Sequence, residues 1–242
     1  MLEVSQLTKS FDGFVAVNGV SFSVAEGEIL GLIGPNGSGK STTFNLIAGA
    51  IPPSAGSVRF LGQEIAGLPA FRVAHTGIAR TYQIPRPFRK LSLVENVALA
   101  AFYGQDEIHS REKAYAEAAE ALKLVNLPPE ESARVEGLGA AGLKKLELAR
   151  ALATRPKLLL ADESLGGLDH AEMEQAADML AAIRDQRGVT IVWVEHIMGV
   201  LMRVVDRCVV LDHGEVIAEG KPADIARNAK VIEVYLGTDA FA

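Results

Sequence analysis

A glycine-rich segment near the N-terminus carries the residue types that bind phosphate. Residues 34–41 read Gly-Pro-Asn-Gly-Ser-Gly-Lys-Ser, which matches the P-loop pattern. Glycines let the backbone wrap an anion without a Cβ clash, and N–H groups at a helix N-terminus point at it. Lys40 would supply charge to the β- and γ-phosphates, and Ser41 a hydroxyl to Mg²⁺. The residues expected to bind nucleotide here are Asn36, Gly37, Ser38, Gly39, Lys40, Ser41 and Thr42.

Two carboxylates, Asp162 and Glu163, directly follow the apolar run 158–161. The carboxyl end of a buried strand is the edge where α/β proteins bind ligands. We expect Asp162 to hold Mg²⁺ through water and Glu163 to polarise the water that attacks the γ-phosphate. Such a pair alone is more often an exposed corner between a strand and a loop. The P-loop in the same chain favours the catalytic interpretation.

A histidine, His196, follows the apolar run 189–194. At a strand end its imidazole can sense a γ-phosphate. Considered alone, a histidine in this position is more often a hydrogen-bonded structural residue. The neighbouring motifs favour the sensing role.

The elements that must position these residues alternate along the chain. Apolar runs at 28–33, 157–161 and 189–194 predict central parallel strands, with helices over 41–50 and 171–187. The pattern predicts an α/β fold with a mixed sheet core. Strands over 4–11, 14–24 and 57–60 predict an N-terminal antiparallel layer. Helices over 112–125 and 143–154 predict an inserted helical lobe.

The predicted order of strands and helices indicates how the chain is divided into domains. We expect a single domain over 1–242, with an α/β core formed by 1–83 and 156–242 and a helical subdomain at 84–155. A hairpin over 207–219, turning at 213–214, and a short helix opened by Pro222 complete the chain.

The composition and net charge of the chain argue against some classes of protein. The chain has 242 residues, 49% of them hydrophobic, and a formal net charge of −6, which argues against a nucleic-acid partner. No apolar run approaches the roughly 18–20 residues of a membrane span, and the start lacks the blocks of a signal peptide. We therefore expect a cytoplasmic chain. The single cysteine, Cys208, lies in the apolar run 208–211 and is expected to be buried.

With these motifs in order, the sequence resembles the ATPase subunits of ABC transporters over nearly its whole length. The resemblance implies a P-loop NTPase fold of ABC type with ATP and Mg²⁺ as cofactors. It implies that Phe11 stacks on adenine and that Val17 also belongs to the nucleotide-binding residues. It implies that Gln83 meets Mg²⁺ and leads into the surface that contacts the membrane subunit. It also implies that Asp169 is the D-loop residue and His196 the switch histidine.

Within that family, segments 78–83, 92–97 and 231–237 resemble the branch that serves branched-chain amino acid importers. Other members of the branch import urea, amides or aromatic acids, so the solute stays open. The resemblance implies a second ATPase subunit, two transmembrane permease subunits and, indirectly, a solute-binding protein as partners. It implies a peripheral location on the cytoplasmic side of the membrane.

One segment departs from the family pattern. Where the family has Leu-Ser-Gly-Gly-Gln, this chain has Leu138, Gly139, Ala140, Ala141 and Gly142. Gly139 offers no hydroxyl to a phosphate, and losing such a bond costs about 1.5–3 kcal/mol. We hypothesise an asymmetric heterodimer in which a paralogous partner supplies an intact signature. Ser164, where the family usually has proline, is a second departure.

A different class of function stays open. Soluble ABC ATPases act in cluster assembly or DNA repair without transporting a solute. The absence of a long coiled-coil insertion and of a basic tail argues against repair, although a cluster-assembly ATPase would share those absences. A kinase or GTPase is less supported, because the sequence has no Asn-Lys-x-Asp motif.

Overall fold

The computed structural model describes residues 1–104, 110–163, 167–195 and 197–236. Within these ranges the strands are β1 (Leu2–Phe11), β2 (Phe14–Val24), β3 (Ile29–Ile33), β4 (Ala55–Phe60), β5 (Gln63–Glu64), β6 (Ile78–Arg80), β7 (Leu158–Asp162), β8 (Thr190–Val194), β9 (Arg207–Asp212) and β10 (Glu215–Gly220). The helices are α1 (Lys40–Ile47), α2 (Ala70–His75), α3 (Leu93–Tyr103), α4 (Arg111–Leu124), α5 (Ala140–Leu152), α6 (His170–Arg187), α7 (Met198–Val204), α8 (Pro222–Ile225) and α9 (Ala229–Leu236), with a 3₁₀ turn at Val135–Gly137.

The chain divides into two compact units. The first comprises Met1–Val73 with Thr190–Ala242, and the second comprises Ala74–Val189. No helix in the described ranges is both long enough and apolar enough to cross a membrane.

The first unit contains an antiparallel layer and a set of mixed strands. The antiparallel sheet has the order β2-β1-β4-β5, and its central strand β1 pairs with both β2 and β4. Strand β3 pairs in parallel with β8 on one side and with β9 on the other, while β9 and β10 form an antiparallel hairpin. Every residue of β3 and β8 is buried, as the continuous apolar runs predict.

The second unit is mainly helical. Its strands β6 and β7 pair in parallel, and α3, α4 and α5 share one hydrophobic core. That core includes Leu93, Val97, Leu122, Leu146 and Ile183, each at most 1% exposed. The apolar stripes of these helices drive their packing, because burying such surface is the main favourable term in folding.

The α/β class, the mixed sheet and the antiparallel layer predicted from the sequence are confirmed. The domain boundaries at 84 and 155 stay a prediction. The predicted start of a helix at 143 is wrong: α5 begins at Ala140, so the last three residues of the degenerate signature are helical. Helix α3 was missed, although Ser92 and Glu95 form the capping box that marks such a helix start.

The buried cysteine predicted from the sequence is confirmed. Cys208 lies in β9, fully shielded from solvent. Burial raises the pKa of its thiol to about 12, and the charge of the nearby Arg207 opposes this shift.

Candidate functional site

The glycine-rich loop lies in the first unit, between the buried strand β3 and helix α1. Gly34 has a φ of 149°. A Cβ at this position would lie 2.1 Å from the carbonyl oxygen of Leu211 and 2.6 Å from Ser38 Oγ. Since neither contact is sterically possible, only glycine allows the backbone to turn here against β9.

The interior of the loop is polar. The Lys40 side chain is buried, and its Nζ donates to the carbonyl oxygens of Gly34 and Pro35 at 2.8 and 2.9 Å. Ser38 Oγ is buried and has no hydrogen-bond partner in the described ranges. Gly39 caps α1 without a side-chain bond, and the first amides of a helix have no intrahelical acceptor. These donors fit a phosphate group.

The loop is supported from two sides within the same unit. A Cβ at Gly39 would lie 2.7 Å from the carbonyl oxygen of Ala16, so β2 packs directly against the loop. The Gly214 amide, in the turn of the β9–β10 hairpin, donates to the Ser38 carbonyl oxygen at 3.1 Å. The hairpin and β2 therefore fix the shape of the phosphate loop.

Phe11 and Val17, the two nucleotide-binding residues predicted outside the glycine-rich loop, differ in accessibility to solvent. Phe11, at the end of β1, is 43% exposed, and Lys9 Nζ lies 5.1 Å from the centre of its ring. Val17 is fully buried in β2. Phe11 therefore presents an aromatic surface for stacking, while Val17 acts as a packing residue beneath the loop.

The acidic pair lies in the second unit, at the end of β7. Asp162 is the last residue of the strand and is 6% exposed. Its Oδ2 accepts a hydrogen bond from Arg80 Nη2 at 2.7 Å, and its amide donates to Thr81 Oγ1 at 3.2 Å. Arg80, at the end of the adjacent strand β6, thus orients the carboxylate as a charged partner, and Thr81, the next residue, fixes the Asp162 backbone with its hydroxyl.

Glu163 and Gln83 are in direct contact. Gln83 Nε2 donates to the Glu163 carboxylate. Lys144 Nζ, from α5, donates to the Glu163 carbonyl oxygen at 2.8 Å and to the Gln83 carbonyl oxygen at 3.4 Å. The structure therefore brings together the candidate base, the candidate Q-loop glutamine and a lysine that sequence reasoning did not single out.

The described ranges contain no cluster of three or more His, Cys, Asp or Glu side chains suited to a metal ion. A P-loop Mg²⁺ site does not require one, because phosphate oxygens and waters complete its octahedral shell. Asp162, a carboxylate oriented by Arg80, is of the ligand type that Mg²⁺ prefers.

Comparison with known families identifies the chain. A family model described as ABC transporter matches residues 17–166. That span is more than half of the chain. The chain belongs to the ABC transporter family. A second model, described as branched-chain amino acid ATP-binding cassette transporter, matches residues 215–240.

Curated members of the family match over the whole length. The high-affinity branched-chain amino acid transport ATP-binding protein BraF of Pseudomonas aeruginosa is 36% identical, with 98% of each chain covered. The probable branched-chain amino acid transport ATP-binding protein LivG of Archaeoglobus fulgidus is also 36% identical, over 98% of this chain and 95% of its own.

Solved ABC cassettes share the fold. The ADP conformation of MJ1267, an ATP-binding cassette of an ABC transporter, superposes with a TM-score of 0.88 at 29% identity, covering 98% of each chain. MJ0796, a cassette solved as a dimer in a post-hydrolysis state bound to ADP and Pi, has a TM-score of 0.82 at 27% identity, covering 92% of this chain and 99% of its own.

The segment aligned with the ABC signature has little polar chemistry. Gly139 is the N-cap of α5 and makes no side-chain hydrogen bond to it. A Cβ at Gly142 would lie 2.9 Å from Leu138 Cδ2, so this glycine packs closely on the preceding turn. What the segment offers to a ligand is a helix N-terminus without a hydroxyl.

Two other predicted residues need comment. Asp169 caps α6: its side chain accepts from the Glu172 amide at 2.8 Å, and its own amide donates to Glu172 Oε2 at 3.0 Å. This capping box gives Asp169 a structural role beside its predicted D-loop role. His196, like Ser164, lies outside the described residues.

Several residues that contact the phosphate loop or the acidic pair were not predicted from the sequence. Arg80 and Lys144 carry no motif signal of their own, since their roles depend on which strands and helices are neighbours. Tyr235, in α9, also contacts the phosphate loop. Burial raises the pKa of its phenol, and a hydrogen bond with the backbone of Gly34 opposes that shift.

Proposed function

We propose that this ABC cassette hydrolyses ATP to energise import of a branched-chain amino acid, or a related small polar solute, through separate membrane subunits. The observation that carries the proposal is the phosphate loop, with its bare glycines and inward-facing Lys40, in a chain similar over its whole length to BraF and LivG. We place the chain peripherally on the cytoplasmic side of the membrane.

Each residue type has a role in this chemistry. Lys40 and the loop amides would bind the β- and γ-phosphates. Ser41, Gln83 and Asp162 would hold Mg²⁺, which when bound neutralises developing phosphate charge. A carboxylate oxygen of Glu163 would accept a proton from the attacking water. His196 would sense the γ-phosphate, and Phe11 would stack on adenine.

The segment that follows Gln83 supports docking to a membrane subunit. Its apolar side chains Ile84 and Phe88 are 68% and 50% exposed. Such exposure on a firmly held loop is typical of a contact surface.

The contacts of this segment show how firmly it is held. Asn96, buried in α3, exchanges hydrogen bonds with both the amide and the carbonyl of Phe88. Arg150, in α5, donates to the carbonyl oxygen of Arg86 at 3.1 Å. The exposed apolar side chains are therefore presented by an ordered backbone, which reduces the entropy lost on docking.

The degenerate signature supports an asymmetric pair of ATPase subunits. In this proposal the chain contributes the phosphate loop, Asp162, Glu163 and His196 to one ATP site, and a paralogous partner contributes the intact signature. The reciprocal site, facing Gly139 and Ala141, would lack the serine hydroxyl. It would bind nucleotide more weakly or turn it over more slowly.

Calorimetric titration of the full chain with ATP and Mg²⁺ tests the proposal. We expect Lys40→Ala to lower ATP affinity at least about tenfold, because a charged hydrogen bond to phosphate is worth about 1.5–3 kcal/mol. Lys123→Ala, which removes an exposed lysine paired with Glu120, is the matched control and should bind normally. Unchanged affinity in Lys40→Ala would contradict the proposal.

A further inference from the structure

Lys144 occupies an unusual position for a lysine in the second turn of an amphipathic helix. Its ammonium group is directed at two backbone carbonyl oxygens, that of Glu163 at 2.8 Å and that of Gln83 at 3.4 Å. The neighbouring Lys145 has no such contact among the hydrogen bonds of the described residues. Two adjacent lysines of one helix therefore differ in what they contact.

The backbone of Glu163 explains what such a contact can do. Glu163 has a φ of 43°, in the left-handed region that non-glycine residues rarely adopt. A residue persists there only when surrounding contacts hold it. A charge-assisted hydrogen bond to its carbonyl oxygen is among the stronger contacts available, and Lys144 provides one.

The side chain of Glu163 is held from a second direction. Gln83 Nε2 donates to its carboxylate, while Lys144 also contacts the Gln83 carbonyl oxygen. Lys144 therefore constrains Glu163 in two ways. It binds the Glu163 backbone directly, and it binds the backbone of Gln83, whose side chain holds the Glu163 carboxylate.

We propose that Lys144 is a positioning residue for catalysis, which fixes the backbone of Glu163 and ties it to the Gln83 loop so that the carboxylate is aimed at the attacking water. The inference rests on the proposed role of Glu163 as the base. Because Lys144 belongs to the helix that begins at the degenerate signature, a shift of α5 would move the base and the Gln83 loop together.

Steady-state kinetics of the assembled transporter test the inference. We expect Lys144→Met to lower kcat about tenfold, which is what a misdirected base typically costs, and to leave the ATP affinity of the chain unchanged. Lys145→Met, the matched control, should keep the wild-type kcat. Lys144→Arg, which retains a charged donor, should restore most of the rate.

A second readout does not depend on turnover. In the full chain without nucleotide, hydrogen–deuterium exchange should rise in the peptide that contains Glu163 in Lys144→Met, and remain at the wild-type level in Lys145→Met. A loss of fold in Lys144→Met would instead raise exchange throughout the chain, including the buried strand β3. In that event Lys144→Gln, which keeps most of the side chain and removes only the charge, takes its place. A lowered kcat with wild-type exchange in β3 would support the inference, and wild-type kcat with wild-type exchange at Glu163 would overturn it.

The outcomes separate the inference from the proposed function. Equal kcat and equal exchange in Lys144→Met and Lys145→Met, with turnover abolished by Glu163→Gln, would overturn the role of Lys144 alone. Full turnover in Glu163→Gln would refute the proposed role of Glu163 as the base, and the inference about Lys144 would fail with it.

Discussion

At the scale of single residues, the candidate Mg²⁺ ligand Asp162 forms a buried ion pair with Arg80. The two side chains are 9% and 8% exposed, with 2.7 Å between Arg80 Nη2 and Asp162 Oδ2. Tyr82 stacks near the guanidinium, with 5.0 Å from Arg80 Cζ to the ring centre. An isolated carboxylate at this depth would be costly, because its lost hydration would not be replaced.

We therefore expect Arg80→Met to lower the free energy of unfolding by about 3–5 kcal/mol, since it leaves the Asp162 charge buried without its partner. Urea denaturation followed by circular dichroism measures the change. Arg59→Met, which breaks an exposed pair with Glu64 at 3.6 Å, is the control and should cost at most about 1 kcal/mol. Equal losses in the two variants would refute a structural role for the buried pair.

The placement of the candidate site residues on strand ends and at a helix start could be predicted from the sequence, because each of these residues belongs to a local pattern. The P-loop follows one strand and opens one helix, and Asp162 ends another strand. Arg80 and Lys144 could not be predicted in this way. Their contacts depend on β6 lying beside β7 and on α5 approaching the end of β7, and sequence periodicity does not specify which elements are neighbours.

At the scale of elements, helix α5 contains a carboxylate that folding makes harder to ionise. Glu147 is 9% exposed, and burial raises the pKa of its carboxyl above the usual 4.5, while Arg150 at 2.9 Å opposes the shift. A raised pKa means that the folded chain holds this proton more tightly than the unfolded chain. Ionised Glu147 therefore lowers stability once the pH exceeds its folded pKa.

Because the raised pKa makes ionised Glu147 destabilising, we can predict how stability depends on pH. We expect Glu147→Gln to keep or raise stability at about pH 7.5, by up to about 1 kcal/mol, because the amide can still accept from Arg150. The advantage should shrink toward about pH 5, where protonation begins to relieve the wild-type carboxyl. Urea midpoints at the two pH values measure it.

The control for this prediction is a glutamate whose pKa is shifted in the opposite direction. Glu120 is exposed on α4, and its hydrogen bond with Lys123 lowers the pKa of its carboxyl. Stability from such a group is present at neutral pH and is lost as the pH falls, so Glu120→Gln should show no gain at about pH 7.5. A Glu147→Gln variant that is less stable than wild type mainly at the higher pH would contradict the argument.

The strands and helices could be predicted from the sequence where a single pattern, such as a continuous apolar run, was clear. Strands β3, β7 and β8 are continuous apolar runs, and their burial on both faces leaves few alternatives. Helix α3 was missed because its sequence is apolar on most faces, which hides the helical period. The capping box at Ser92 was the available signal.

At the scale of the whole molecule, the chain is one half of a functional ATPase in the proposed arrangement. We expect the purified chain alone to show little ATP hydrolysis and the assembled complex to show much more, with the rate collapsing in Glu163→Gln. The physical reason is that the signature opposite this phosphate loop must come from a partner. Phosphate release assays on both preparations measure it, and equal rates would refute the asymmetric heterodimer.

The buried thiol of Cys208 has a practical consequence for following this cycle. Maleimides react with thiolates, and a thiol enclosed in β9 with a pKa of about 12 offers almost none at neutral pH. The natural chain therefore needs no cysteine removal before labelling. A single probe attached through Gln63→Cys in the first unit or Gln186→Cys in the second, both exposed positions, would report the surroundings of that unit while ATP is bound and hydrolysed.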